Sequence, residues 1–209
     1  MTEAVSPRVL GWIAAALGAI APLAGSPYIG AHGRVDVEQL ASAVAREEDH
    51  VTALELAQWI KDRRPDLRVV DVRTRADFDA FHLPTAEHIP IESIATASFD
   101  ANDTIVLYSD GGAHAAQAWV FLRALGHQQV FFLRGGLIDW IDDVLNPAIA
   151  PDATADAKAA FARIAALSRY FGGTPRLVDG AEPPDDPAAG AAAPRSTASA
   201  VAKIRKRRC

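Results

Sequence analysis

From about residue 51 to residue 146, short apolar runs alternate with stretches of helical periodicity. Val69–Val72, Ile105–Tyr108 and Val130–Leu133 are too short for helices and suit strands buried on both faces, and His88–Ile91 reads as a further short strand. Ala76–Phe81, Ala115–Leu125 and Leu137–Val144 read as the intervening and closing helices, the second stopped by Gly126 and the third by Asn146-Pro147. Upstream, Thr52-Ala-Leu-Glu55 is a capping box with Val51 and Leu56 as its hydrophobic staple, so a helix begins near Ala53 and ends before Pro65. Apolar strands alternating with helices predict an α/β domain, a doubly wound and mostly parallel sheet covered on both faces.

The flanks carry other patterns. Arg34 to Asp49 places Val37, Leu40, Ala41 and Val44 at helical spacing, a short amphipathic lead-in helix. Asp156 to Phe171 repeats the pattern with Phe161, Ile164, Leu167 and Phe171 on one stripe. Between Arg8 and Arg34 there is no acidic or basic residue except His32, and Val9 to Tyr28 is almost wholly apolar, about the 20 residues needed to cross a bilayer. That stretch predicts an N-terminal transmembrane helix through residues 9–28, with Arg8 holding the N-terminus in the cytoplasm and the domain facing the extracytoplasmic side of the cell membrane. The alternative is a cleaved signal peptide and a secreted or periplasmic protein, although Pro22 and Pro27 crowd the candidate cut sites. From Thr174 onward Pro, Gly, Ala, Ser and Asp dominate, which predicts a disordered tail ending in the basic run Lys203 to Arg208. The expected organisation is therefore 1–33 anchor or signal segment, 34–50 lead-in helix, 51–147 domain, 148–173 C-terminal helix and 174–209 tail.

Composition removes several function classes. A net charge of -5 gives no global reason to expect nucleic acid. The single cysteine is Cys209, the last residue, so no disulfide framework or cysteine metal site can form within one chain. His82 and His88 lack a third ligand at any usual metal spacing, and neither a metal nor a cofactor is expected.

The candidate chemistry sits where the Ile105–Tyr108 strand runs into its helix. Gly111 and Gly112 let the turn from Ser109 to His114 curl tightly, so backbone N–H groups of Ser109, Asp110, Gly111, Gly112, Ala113 and His114 can converge on an anion. The position, outside the carboxyl end of a parallel strand, is where open α/β sheets bind ligands. Asp110 places a carboxylate in that loop and opposes an anion there.

These residues resemble the rhodanese-like domain of sulfurtransferases, whose loop reads Cys-x-x-Gly-x-Arg and whose cysteine carries a sulfane sulfur as a persulfide. Here serine stands at the cysteine position (Ser109) and histidine at the arginine position (His114), with Gly112 matching. Val69-Val-Asp-Val-Arg73, Ala76-Asp-Phe78 and His82-Leu-Pro-Thr-Ala86 resemble the family's first motif, with Phe81 and Thr85 where glycine is usual. Leu133-Arg-Gly-Gly-Leu137 with Trp140 resembles its closing motif. The resemblance implies structural roles for Asp71, Arg73, Gly135, Gly136 and Trp140, with Asp71 and Arg73 read on opposite faces of a strand end. A hydroxyl cannot hold a persulfide sulfur, so no catalytic residue is assigned. The expectation is a pseudoenzyme that binds a small oxyanion (sulfate, thiosulfate) or a protein partner through the Ser109–His114 loop. The alternatives are a sulfurtransferase in sulfur metabolism using a partner's thiol and, behind it, a serine hydrolase pairing Ser109 with His114.

Overall fold

A computed structural model describes residues 6–20 and 36–178. Residues up to Arg34 and residues from Val35 onward form two separate units. The first holds a helix, α1 (Pro7–Ile20), of 14 residues. At 1.5 Å per residue it spans about 21 Å, short of the roughly 30 Å of bilayer hydrocarbon. Among the described residues no helix is long and apolar enough to cross a membrane. This overturns the expected transmembrane helix through residues 9–28 and, with it, the single-pass, outward-facing placement. Hydrophobicity alone made the stretch look long enough. Pro22 has no N–H to continue a helix and disfavours helical geometry at the residue before it. Residues 21–28 of that stretch lie outside the described residues.

In the second unit, α2 (Val37–Ala45) is capped by the Asp36 carboxylate, which accepts from Gln39 N–H at 2.9 Å. Then come β1 (His50–Val51), α3 (Ala53–Lys61), β2 (Leu67–Asp71), α4 (Arg75–Ala80) and β3 (Glu87–His88). A 3-10 turn (Ile91–Thr96) leads to β4 (Thr104–Tyr108), α5 (Ala113–Ala124), β5 (Val130–Leu133) and α6 (Gly136–Asp139), which runs into a π-helical turn (Trp140–Leu145). β6 (Ala148–Ile149), α7 (Ala155–Tyr170) and β7 (Arg176–Leu177) follow. The capping box at Thr52 is present in full, with Glu55 Oε2 accepting from Thr52 N–H at 2.8 Å.

The main sheet has the order β1-β5-β4-β2-β3 with every pairing parallel. Alternation along β4 divides the core in two. Val106 and Tyr108 join Leu56, Ile60, Leu133, Leu137, Trp140 and Leu167 beneath α3, α6 and α7. Ile105 and Leu107 join Val70, Ala118, Trp119 and Leu122 beneath α5. A strand buried on both faces has to be apolar at every position, which is why its sequence shows a continuous run.

Short pairings were not legible beforehand. β1 adds an edge strand through His50 opposite Phe132, and β6 pairs with β7 in a separate two-stranded ladder. That ladder orders Arg176 and Leu177, so the segment expected to be disordered from Thr174 is structured as far as residue 178. Residues 179–209, with the basic run, lie outside the described residues.

The loop after α4 holds Phe81 and Thr85, the two positions at which the resemblance implies glycine. Phe81 is extended (φ -166°, ψ 133°), a conformation open to any residue. Thr85 keeps a left-handed backbone at φ 64°, which a β-branched side chain adopts only with strain. Thr85→Gly should therefore raise stability by about 0.5–1 kcal/mol, relief of strain outweighing the added entropy of the unfolded chain. Urea melts of the two proteins check this, and a loss of stability would show that the threonine is not strained.

Candidate functional site

The parallel register brings the carboxyl ends of β2 and β4 side by side, with Asp71 opposite Tyr108. The loops that follow these strands must therefore meet at one edge of the sheet. Asp71 is wholly buried and accepts from Arg73 at Nε (2.9 Å) and Nη2 (2.7 Å) and from the Arg73 backbone N–H (2.9 Å). Their side chains come together, contrary to the expectation that they lie on opposite faces, because Arg73 follows the end of β2 in a bend and its guanidinium folds back onto Asp71. The same guanidinium donates through Nη2 to the Phe81 carbonyl (2.6 Å) and through Nη1 to Asp110 Oδ1 (3.0 Å). One arginine thus ties the end of β2, the end of α4 and the loop after β4.

Burial works to lower the Arg73 pKa, but the hydrogen bonds and charge of Asp71 raise it above its usual value, so Arg73 is a permanent cation. Tyr108 lies under this cluster, its hydroxyl accepting from Leu83 N–H at 3.1 Å. Burial, then the charge of Asp71, pushes its pKa well above the normal phenol value.

Ser109 follows directly. Its side chain is enclosed, 2% exposed, and its Oγ accepts from Gly112 N–H at 3.1 Å. Gly112 has φ 88° and caps α5 without a side-chain bond, so Ala113 and His114 are the first two residues of the helix rather than part of the loop. On the inner side, the Ser109 and Asp110 carbonyls accept from Leu137 N–H (2.9 Å) and Ile138 N–H (3.1 Å). Gly136, at φ 59°, makes that approach possible. A Cβ there would overlap the Ser109 carbonyl oxygen and lie 2.8 Å from both Asp110 O and Gly112 N. Gly135 is also left-handed (φ 64°) and has the Asp139 carboxyl folded over it, while Trp140 is core, edge-on to Phe171 at 5.2 Å.

On the outer side lies a cavity of about 300 Å³ bordered by Arg73, Arg75, His88, Glu92 and His114. His88 Nε2 is 2.9 Å from the Arg73 carbonyl. His82 stacks on Phe78 at 4.1 Å and bonds its carbonyl through Nδ1 (3.0 Å). Among the described residues no cluster of His, Cys, Asp or Glu could hold a metal ion. Sequence reasoning missed Arg75, His88 and Glu92 as site residues, and missed the pairing of Arg73 with Asp110. The usable signal was topological, since three parallel strands ending together bring their loops together.

The family model for the rhodanese-like domain matches residues 52–143. The chain carries a rhodanese-like domain. Within it, Ser109 occupies the loop between β4 and α5, and the Asp71–Arg73 pair and the Gly135-Gly136 turn brace that loop. The tRNA uridine(34) hydroxylase of Hamiltonella defensa subsp. Acyrthosiphon pisum (strain 5AT) is 26% identical over 105 residues, and that of Cronobacter sakazakii (strain ATCC BAA-894) 26% over 100 residues. These alignments take in 46% and 44% of this chain but only 29% and 28% of those proteins. Among solved structures, a rhodanese-like domain from Anabaena sp. is 30% identical with a TM-score of 0.41, covering 44% of this chain and 71% of that one. A rhodanese-like domain protein from Staphylococcus aureus is 28% identical with a TM-score of 0.42, covering 46% and 93%.

Proposed function

We propose that this rhodanese-like domain is a recognition module that does not work as a persulfide sulfurtransferase, and that it binds a small oxyanion such as sulfate or thiosulfate, or a protein partner, at the Ser109–His114 segment. The observation that carries this is Ser109 itself. An enclosed hydroxyl, bonded to Gly112 N–H, stands where the chemistry of the resemblance requires a thiolate. The family reaction needs a nucleophile that can leave again as a sulfur anion, and a serine oxygen at ordinary pKa does neither. Asp110 is no simple obstacle to an anion, because Arg73 holds its carboxylate.

The full-length protein should form thiocyanate from thiosulfate and cyanide at no more than the uncatalysed rate, and Cys209→Ser should leave that result unchanged. Turnover well above background that survives Cys209→Ser would overturn the reading. In the same protein, sulfate should shift the amide resonances of Gly111 to His114 with millimolar affinity.

A further inference from the structure

We propose that the cavity outside the loop binds a small organic monoanion, a sulfonate or carboxylate with an apolar body, in preference to a bare inorganic oxyanion. The proposal rests on the reading of the domain as an oxyanion-recognising module and names its ligand class.

The inner side of the loop is closed. Its two carbonyls accept from Leu137 and Ile138 N–H, Gly112 N–H is taken by Ser109 Oγ, and even a Cβ on Gly136 would collide with backbone atoms of Ser109, Asp110 and Gly112. The cavity beside it, which meets this segment at His114, has about 300 Å³, the lower end of the range for small-molecule sites. Sulfate would fill a small part of that space.

The lining sorts by chemistry. Val72, Pro90 and Ile91 supply an apolar floor that cannot hydrogen-bond an inorganic ion. Thr74 Oγ1 is already used, donating to Asp77 Oδ2 (2.8 Å) and accepting from Asp77 N–H (3.2 Å) as the cap of α4. Arg73 is charge-balanced by Asp71 and Asp110. Arg75 differs from it. Its side chain is 71% exposed and pairs with Asp79 through Nε, so the terminal nitrogens can turn to an anionic head beside His114. A carbonyl only accepts, so His88 Nε2 carries the proton given to Arg73 O, and Nδ1 is the nitrogen left for a ligand or water. Glu92 also lines the cavity and repels a doubly charged ligand about twice as strongly as a singly charged one. A single charge near Arg75 and His114, with carbon over Val72 and Ile91, suits this lining better than a double charge, which Glu92 repels more strongly. Each buried methylene should then gain about fourfold in affinity.

The test titrates the full-length protein at fixed ionic strength with benzenesulfonate, benzoate, phenyl phosphate and sulfate, following backbone amides by NMR. Benzenesulfonate and benzoate should bind at least about tenfold tighter than sulfate, and should shift Val72 to Arg75, Ile91, Glu92 and His114. Arg75→Gln should weaken benzenesulfonate about fivefold, and Glu92→Gln should tighten sulfate and phenyl phosphate more than benzenesulfonate. Both positions are exposed, so both variants should fold. Equal or tighter binding of sulfate, or no effect of Arg75→Gln, overturns the cavity proposal. If sulfate shifts Gly111 to Ala113 while the organic anions gain nothing, the loop reading stands and the cavity proposal falls. If no anion shifts either set, both fall.

Discussion

Replacing Arg73 by methionine should lower the unfolding free energy by about 3–5 kcal/mol, the usual result of breaking a buried ion pair from one side. The reason lies in what is left behind. Asp71 would stay wholly buried without the three hydrogen bonds it accepts from Arg73 side-chain nitrogens, and the Phe81 and Asp110 oxygens would each lose a donor. Asp71→Asn combined with Arg73→Met should recover part of the loss, because removing the second charge removes its desolvation cost. Urea denaturation of wild type, both single variants and the double variant completes the cycle. Additive single effects would mean that the two groups do not act as a pair. A loop-specific readout separates stability from site geometry: in Arg73→Met the Asp110 and Gly111 amides should broaden or shift before unfolding, since Asp110 has lost the Arg73 contact that ties it to the β2 side.

Gly136→Ala should cost about 3–5 kcal/mol, with strain at φ 59° accounting for roughly 1–2 of it and overlap for the rest. The new Cβ meets three backbone atoms of residues 109 to 112, none of which can rotate away as a side chain could. Relieving the overlap means separating α6 from the loop, with loss of the bonds from Leu137 and Ile138 N–H. Gly126→Ala is the matched control. Its φ is also positive, 98°, but its Cβ would meet nothing within 4 Å, so it should show backbone strain without overlap. Equal losses at the two positions would show that the close approach at Gly136 does not matter.

Much of the fold was legible because its code is local. The β4 run had to be apolar at every position to be buried on both faces, and Thr52 with Glu55 announced a helix start through bonds made within four residues. The resemblance placed Ser109 on its loop and Gly136 at its turn from short motifs, since a left-handed glycine leaves its mark at a single position. What escaped lacks a local code. β1 is two residues long and exists only because β5 offers it an edge. The membrane reading failed because apolar composition does not fix helix length: among the described residues α1 covers Pro7–Ile20, 14 residues.

The site divides the same way. Residue types along the chain determined that a serine stands at position 109, where the resemblance implies a thiol, that Asp110 brings a negative charge into the loop and that glycines shape its turn. Only the parallel register of β2 against β4 decided that Arg73, 37 residues upstream, would take the Asp110 carboxylate. Together with the pairing of β3 to β2, it set Arg75, His88, Glu92 and His114 around one cavity, because strands ending at one edge bring their loops together whatever their distance along the chain.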